Sequence, residues 1–493
     1  MLIKPLTNAT PAPFRHTWEG LANVDQFRWL VRADMQDQLA LARRELGTRH
    51  VRAVGMLDDE MRVMTPDPTR WRDTNKFSPE PNWQMVTHVV ERLLGIGINP
   101  MITTCFMPTA LAAGAKTVFE TKSNISLPTD WAEWRKLVRS LAAHLVRHFG
   151  AEVVRDFYFE VWNEPNLQDG FFAGTRNDFF RLYRETVSEI KSVDAALRVG
   201  GPSTARAEWI PEFLEFCRAE NIGPDYLVGH VYNNDSDSKP LSPFDGPQED
   251  LVSKSPNFAA GVIRGTRRLL DTAGFRGEVH WNEWGRSWFP CEPARESANE
   301  AAFIVKTMAE VSQCADRFAY WCLSDIYNQA GYGNSAFHGN YGLLSLHGLR
   351  KPGYLAHQLL GRLGGARIPV ECEGADALNN AVATLGENGG SVLVYRYSAE
   401  DSPSVERGRV VVEMPAGWRP AALFRVTSAE NNILHAWREA GAPKYLRTDA
   451  LAALKSQNTL AATTAFTFDG TRVAFELERP GIALLEMNGA RLS

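Results

Sequence analysis

Residues 127–166, LPTDWAEWRKLVRSLAAHLVRHFGAEVVRDFYFEVWNEPN, decide the fold. The first half opens at Thr129 and Asp130, residue types that start helices, continues as an apolar stripe at helical spacing, and stops at Gly150. The second half, FYFEVWNEPN at 157–166, is a short β-rich run that carries two glutamates, Glu160 and Glu164, among Phe157, Tyr158, Phe159, Val161 and Trp162. Carboxylates in so apolar a run need partners or a chemical task.

The same alternation extends in both directions. Toward the N-terminus, the helical VRADMQDQLALARREL (31–46) precedes the strand HVRAVGM (50–56), and NWQMVTHVVERLLG (82–95) precedes INPMITTCF (98–106). Toward the C-terminus, FFRLYRETVSEIKSVD, EWIPEFLEFCRAEN, GVIRGTRRLLDTAG and ANEAAFIVKTMAEVSQC read as helices. They alternate with the strands LRVGGPS, DYLVGHVYNND, GEVHWNEWG and FAYWCLSDIY. Repeated β-then-α units predict a parallel sheet covered by helices, and their number favours a closed (β/α)8 barrel, a TIM barrel, over an open sheet. No G-x-G-x-x-G turn follows an early strand to argue for the open form.

After about residue 365 the character changes. NNAVATLGENGGSVLVYRYS, GRVVVEMPAGW, AALFRVT, TAFTFDG, TRVAFELERPG and IALLEMNG are short β-type runs broken by Gly, Pro, Asn and Asp, the pattern of an antiparallel β-sandwich. The expected division is a catalytic barrel over 15–358 and an accessory sandwich over 359–493, with residues 1–14 as a candidate addition to the sandwich. A chain of 493 residues, 44% hydrophobic, has material for two such units.

Composition narrows the function classes. The net charge of −5 and the lack of a basic stripe argue against a nucleic-acid partner. The N-terminal stretch MLIKPLTNATPAPFRHTWEG lacks the charged start and apolar core of a signal peptide, and no run has the length of a bilayer span, so a cytoplasmic protein without membrane attachment is expected. Six scattered cysteines without CxxC pairs read as small buried hydrophobes, and dispersed histidines predict no metal or other cofactor. Fourteen tryptophans, among them Trp162, Trp281, Trp284, Trp288 and Trp321 beside polar residues, are compatible with sugar rings lying on indole faces.

In such barrels functional groups stand at the C-terminal ends of strands. Two of these ends carry glutamate among aromatics, Glu164 in VWNEPN and Glu283 in HWNEWG. Hydrolysis of a glycosidic bond by double displacement needs one carboxylate as nucleophile and a second that is first an acid and then a base. Within the first motif Pro165 leaves Glu164 at the strand's end, whereas Glu160 lies mid-strand and reads as a structural carboxylate. Strict alternation gives the two the same facing. His230 and Tyr232 close another strand at the same barrel end, and Arg52 is placed to pair with the nucleophile or to make a structural ion pair.

FYFEVWNEPNL closely resembles the acid/base motif of glycoside hydrolase family 39, the family of β-xylosidases and α-L-iduronidases. The likeness to the β-xylosidase branch extends over INPMITTCFMPTALAAGAKTVFETKSNISLPTDWAEWRKLV, KSVDAALRVGGPSTARAEWIPEFLEFC, DYLVGHVY, YWCLSDIY and FHGNYGLLSLHGLRKPGYLAHQLL, in order. The resemblance implies a (β/α)8 barrel with a β-sandwich and a retaining exo-glycosidase acting on a small oligosaccharide or glycoside. It makes Glu164 the acid/base and Glu283 the nucleophile. Asn163 would bond the sugar's 2-hydroxyl, His230 and Tyr232 would line the −1 subsite, and Trp321 would floor it. The chain departs from the β-xylosidase pattern at Val54, where a histidine is usual, at Asn282 before the second glutamate, and at Asn328 and Gln329, where acidic residues are usual. An α-L-arabinoside, a β-glucoside or galactoside, or a uronide (which Arg286 would meet) is therefore an alternative substrate, and a noncatalytic carbohydrate-binding relative is the alternative from another class.

Overall fold

The computed structural model describes residues 1–64, 78, 80–238, 255–327, 329, 333–387, 389–400 and 402–489. Eight parallel strands form the central sheet in sequential order: β1 (Leu21–Gln26), β2 (His50–Val54), β3 (Asn99–Thr103), β4 (Tyr158–Glu160), β5 (Arg198–Thr204), β6 (Tyr226–Tyr232), β7 (Glu278–Gly285) and β8 (Arg317–Tyr320). Hydrogen bonds from Phe318 N to Thr17 O (2.8 Å) and from Leu323 N to Asn23 O (2.8 Å) bring the last strand back to the first. The sheet is a barrel.

Helices follow the strands: α1 (Ala33–Leu46), α2 (Gln84–Gly95), α3 (Trp131–Phe149), α4 (Arg176–Val193), α5 (Ile210–Ala219), α6 (Phe258–Thr272), α7 (Ala298–Val311) and α8 (Pro352–Leu360). The start of α3 is the one read from sequence. The Asp130 carboxylate accepts from Ala132 N, satisfying an otherwise unpaired donor, and Gly150 ends the helix at φ 88°. Its buried stripe of Trp134, Leu137, Val138, Leu141 and Leu145 packs on the barrel, with Trp134 Nε1 donating to Thr186 of α4 at 3.1 Å. A capping box at Thr175 and Asp178 starts α4.

The sequence reading placed seven of the eight strands and missed β1. LANVDQ is fully buried yet half polar, because Asn23, Asp25 and Gln26 serve the barrel's interior and mouth. A strand with that content shows no apolar run. Inside the barrel, Gly200 on β5 admits the Tyr226 ring of β6, where a Cβ would meet ring carbon at 2.5 Å.

Apart from a small hairpin of Thr117–Val118 and Ser123–Asn124, two further sheets contain the remaining strands. One, of five strands, runs Val370–Glu373, Leu2–Pro5, Glu406–Glu413, Arg472–Arg479, Thr467–Phe468. The other, of seven, runs Ala462–Thr463, Arg419–Val426, Gly481–Asn488, Gly389–Arg396, Asn379–Gly386, Ala366–Ile368, Ala12–Pro13. They enclose an apolar core that includes Ile3, Val392, Val410, Val412, Phe475 and Leu485. Leu2–Pro5 pairs antiparallel with Val370–Glu373, and Ala12–Pro13 with Ala366 and Arg367. Two helices absent from the sequence reading, Ile433–Glu439 and Thr448–Gln457, interrupt the sandwich. The sheets dock on the barrel through α7: Asn299 exchanges two hydrogen bonds with the backbone of Ser398 (2.9 and 3.0 Å), and Arg367 reaches Ala309 O at 2.8 Å. Among the described residues no helix is long and apolar enough to cross a membrane.

Candidate active site

Arg52, fully buried on β2, is the hub of the barrel's C-terminal mouth. Its Nε donates to Glu160 Oε2 at 2.6 Å, Nη2 to Glu160 Oε1 at 3.1 Å and to Asn163 Oδ1 at 2.7 Å, and Nη1 to Glu283 Oε1 at 2.6 Å. One guanidinium thereby fixes three side chains, from β4, from the turn after it and from β7, a task that needs its planar fork of donors. Burial opposes the charge on Arg52, but the carboxylates of Glu160 and Glu283 outweigh it and hold the group well above its ordinary range. It is a permanent cation.

Glu160 accepts three further bonds, from Thr103 Oγ1 (2.8 Å), Ser203 Oγ (2.6 Å) and Asn282 Nδ2 (3.1 Å). Burial would raise its pKa, yet Arg52 and these donors bring it below the usual carboxylate range. Both oxygens are saturated, so Glu160 is a bound structural anion. Asn282, which departs from the family pattern, joins it there.

Glu164 does not lie on β4, which ends at Glu160. The chain leaves the strand through left-handed backbone at Trp162 (φ 65°) and Glu164 itself (φ 45°), with Glu164 N bonded to Ser203 O of β5 at 2.9 Å. The alternation argument for its facing therefore does not apply, and the turn, not the pleat, aims the carboxyl. Burial lifts its pKa, a hydrogen bond from His230 opposes the rise, and the charge of Glu283 adds to it; the net direction is up.

His230, on β6 and fully buried, stands between the two candidate carboxylates, its Nδ1 3.0 Å from Glu164 Oε1 and 3.7 Å from Glu283 Oε2. Burial disfavours its charged form, but Glu283 and Glu164 prevail and raise its pKa. Facing two acceptors, Nδ1 carries the proton. Tyr232, two residues on, donates its hydroxyl to Glu283 Oε2 at 2.9 Å, and burial keeps that phenol protonated far above its ordinary range.

Chelating atoms of Glu164, His230 and Glu283 all lie within 4.8 Å of one another, a grouping that sequence spacing did not reveal. Such a trio can be bridged by a cation in principle. Here both oxygens of Glu283 already accept strong bonds from Arg52 and Tyr232, and the Arg52 charge beside them opposes a second cation. A carboxyl oxygen of Glu164 thus lies within 4.8 Å of one of Glu283, a close apposition of the kind double displacement uses rather than the wider gap that leaves room for a water in an inverting site.

A cavity of about 370 Å³ opens over this trio, lined by Asn163, Glu164, Tyr232, Glu283 and Trp321 among others. Trp321 presents its ring edge-on to Tyr327 (6.1 Å between centroids) and Tyr341 (6.4 Å), forming an aromatic wall. Of the expected residues, Arg52 and His230 do not line the cavity, contrary to the expectation that His230 lines the −1 subsite; they bond Asn163, Glu164 and Glu283, which do. Among the cavity-lining residues that escaped the sequence reading are Phe119, Arg206, Asp235, Tyr327 and Tyr341. Asp235 accepts from Tyr232 N at 2.7 Å, and burial pushes its carboxyl up to about 7. Its only signal was an acid close behind the His-x-Tyr pair in HVYNND.

Val54 and Gln329, two of the departures noted above, both line the cavity; Gln329 accepts from Tyr327 OH at 3.0 Å and donates to Asp25. Asn328 lies outside the described residues. Arg286 is buried and bonded to Glu292 (2.5 Å) and Glu300 (3.3 Å), away from the cavity lining, so it is a structural arginine.

The model of "Glycosyl hydrolases family 39" matches residues 1–472. A β-xylosidase of Caldicellulosiruptor saccharolyticus is 34% identical over 423 residues, 85% of this chain and 84% of that protein. A β-xylosidase of Geobacillus stearothermophilus is 27% identical over 452 residues, 90% and 86% of the two chains. The crystal structure of a monomeric β-xylosidase from Caulobacter crescentus CB15 superposes with a TM-score of 0.82 at 25% identity, covering 100% of both chains. With a closed barrel, an accessory β domain and a match along nearly its whole length, this chain belongs to glycosyl hydrolase family 39 and is a glycosidase that hydrolyses O-glycosyl bonds.

Proposed function

We propose that the protein is a retaining exo-β-xylosidase in which Glu283 is the nucleophile and Glu164 the acid/base. The observation that carries this reading is the unequal environment of two apposed carboxylates. Glu283 receives Arg52 and Tyr232, donors that favour an anion, while Glu164 is buried with its pKa raised.

In the first step a Glu283 oxygen attacks the anomeric carbon as the bond to the leaving oxygen breaks, and Glu164 gives that oxygen its proton. The product is a glycosyl ester on Glu283. In the second step Glu164, now a carboxylate, takes a proton from water as that water attacks the anomeric carbon. The ester bond breaks, the sugar leaves with its configuration retained, and Glu164 is protonated again. His230 donates to Oε1 of Glu164, which leaves Oε2 to carry the transferable proton. Asn163 has its carbonyl engaged by Arg52, so its amide N–H groups are free in direction to meet a sugar hydroxyl at the −1 position. Trp321 gives the ring an apolar floor.

Val54 and Gln329 in the cavity wall favour a second reading for the sugar alone. A neutral amide in place of an acid grips hydroxyls less strongly, which broadens the preference toward other glycosides without altering the chemistry. We also read the chain as a barrel over 15–358 with a sandwich over 359–493 joined by residues 1–14; the pairing of Leu2–Pro5 and Ala12–Pro13 with later strands supports that division.

The role assignment is tested by azide rescue of Glu164→Ala and Glu283→Ala on an aryl β-xyloside. Azide should restore turnover in both, giving the β-azide from the first and the α-azide from the second. The reverse pattern, or near-normal activity in either variant without azide, contradicts the assignment. Glycosyl fluorides of β-xylose, α-L-arabinose, β-glucose, β-galactose and β-glucuronic acid identify the sugar.

A further inference from the structure

We propose that Trp288 and Phe289 form a stacking platform for the leaving group, and that this subsite selects a pyranose ring there. The inference rests on the reading of Glu164 as the acid/base. Five large hydrophobic side chains among the described residues are more than a third exposed: Val153, Trp288, Phe289, Val405 and Tyr445. Single exposed residues need no explanation. Trp288 and Phe289 are different, being adjacent, 45% and 48% exposed, and stacked on each other with centroids 4.2 Å apart and planes at 28°. Trp288 also lines the cavity over the two carboxylates.

Their backbone is fixed, although their rings are in water. Trp288 N donates to Asn234 Oδ1 at 3.1 Å, and Trp288 O accepts from the Tyr341 hydroxyl. Arg295, itself buried, donates to the carbonyls of Ser287 (2.8 Å), Phe289 (2.6 Å) and Gly339 (2.9 Å). A loop pinned at so many points, presenting the Trp288 ring to the cavity with the exposed Phe289 ring stacked on it, is a preorganised surface for an apolar ligand face. The C–H face of a pyranose is such a ligand.

The position fits a leaving group. Reading round the barrel from Glu164, the ends of β5, β6 and β7 bring Arg206, Asp235 and Trp288 to the cavity in sequence. Trp321, Tyr327 and Gln329 follow β8, and with Val54 at the end of β2 they form the other side. On this proposal the leaving oxygen lies where Glu164 can protonate it and the group it carries extends along the first side to Trp288, which lines the same cavity as Glu164. Arg206 is held there through Nε (2.7 Å) and Nη2 (2.6 Å) by Glu208. That charge-compensated pair suits ring hydroxyls better than a free carboxylate would.

The test compares xylobiose, whose leaving group is a pyranose, with β-xylosyl fluoride, whose leaving group has no ring. If the fluoride series shows another sugar preferred by the wild type, that sugar's disaccharide and fluoride are used instead; such a result revises the sugar and leaves the platform under test. In Trp288→Ala the ratio of kcat/KM for the disaccharide to that for the fluoride should fall about tenfold or more. Trp288→Phe should lie between it and the wild type, and Phe289→Ala should show a smaller fall. The ratio cancels any loss of folded enzyme. An unchanged ratio in Trp288→Ala, whether both activities fall together or neither does, overturns the proposal.

Discussion

The two ends of the barrel are built from the same strands and behave differently. His50 and Arg52 on β2, Tyr158 and Glu160 on β4, and His280 and Asn282 on β7 are pairs two residues apart, so each strand sends one inward side chain to the floor and the next to the mouth. At the floor Tyr158 OH donates to Glu278 at 2.8 Å, His280 Nε2 meets the same oxygen at 2.7 Å, and the Arg198 guanidinium covers the Tyr158 ring at 3.8 Å. Burial holds His50 down at about 4 and His280 below its ordinary value, so both rings are neutral. At the mouth a cation, two anions, a raised histidine and a raised acid crowd around a cavity. The floor pairs its carboxylate and phenol within itself and stacks rings over them, leaving Nδ1 of His50 and of His280 buried without a partner. The mouth holds charge against open space, which is the arrangement catalysis needs.

Glu160→Gln tests that contrast with the largest effect. It removes the anion on which two nitrogens of Arg52 rest, and breaking a buried ion pair costs about 3 kcal/mol or more. Chemical denaturation should show that loss, and kcat/KM should fall by roughly 10–100-fold as Arg52 loses its fixed orientation toward Glu283. Full stability with activity as low as in Glu283→Ala would instead make Glu160 a chemical participant.

The pH profile gives the next effect. On the proposed assignment Glu164 is protonated for the first step, and its pKa is raised, so kcat/KM on an aryl xyloside of poor leaving ability should fall about tenfold per pH unit above that pKa. The basic limb should lie above the ordinary carboxylate range and vanish in Glu164→Ala. A limb that survives in that variant assigns the acid elsewhere.

The floor gives the smallest effect. The hydrogen bond from His280 depresses Glu278 to about 2, with Tyr158 assisting against burial. A depressed carboxylate contributes stability above its unfolded value near 4.5 and loses it as pH falls toward about 2. Glu278→Gln should therefore cost about 1 kcal/mol at neutral pH, a figure discounted for solvent screening because the carboxylate is 40% exposed. That loss should shrink in acid, while kcat stays at the wild-type value. A fall in kcat would mean that floor and mouth are coupled.

Much of this was legible in the residues. The helix start at Asp130, the stop at Gly150 and the β-rich runs identified the barrel units, because amphipathic periodicity and capping are local signals. LANVDQ was not legible as a strand, since its inward residues are polar for the sake of the mouth. Glu164 and Glu283 were singled out by their motifs, and the structure brings both to one cavity. The saturation of Glu160 by five donors, the placing of Nδ1 of His230 between two carboxylates, and the raised Asp235 arise from contacts between residues 43 to 122 positions apart or from burial, which no spacing rule reports. The two helices inside the sandwich were hidden for another reason: they lie in a region already read as all-β.

Covalent trapping tests the central claim most directly. A 2-deoxy-2-fluoro-β-xylosyl fluoride destabilises both transition states but keeps a good leaving group, so the glycosyl ester accumulates and mass spectrometry locates it. The account predicts one label, on Glu283 within EVHWNEWG. A label on Glu164 or Glu160 would contradict it.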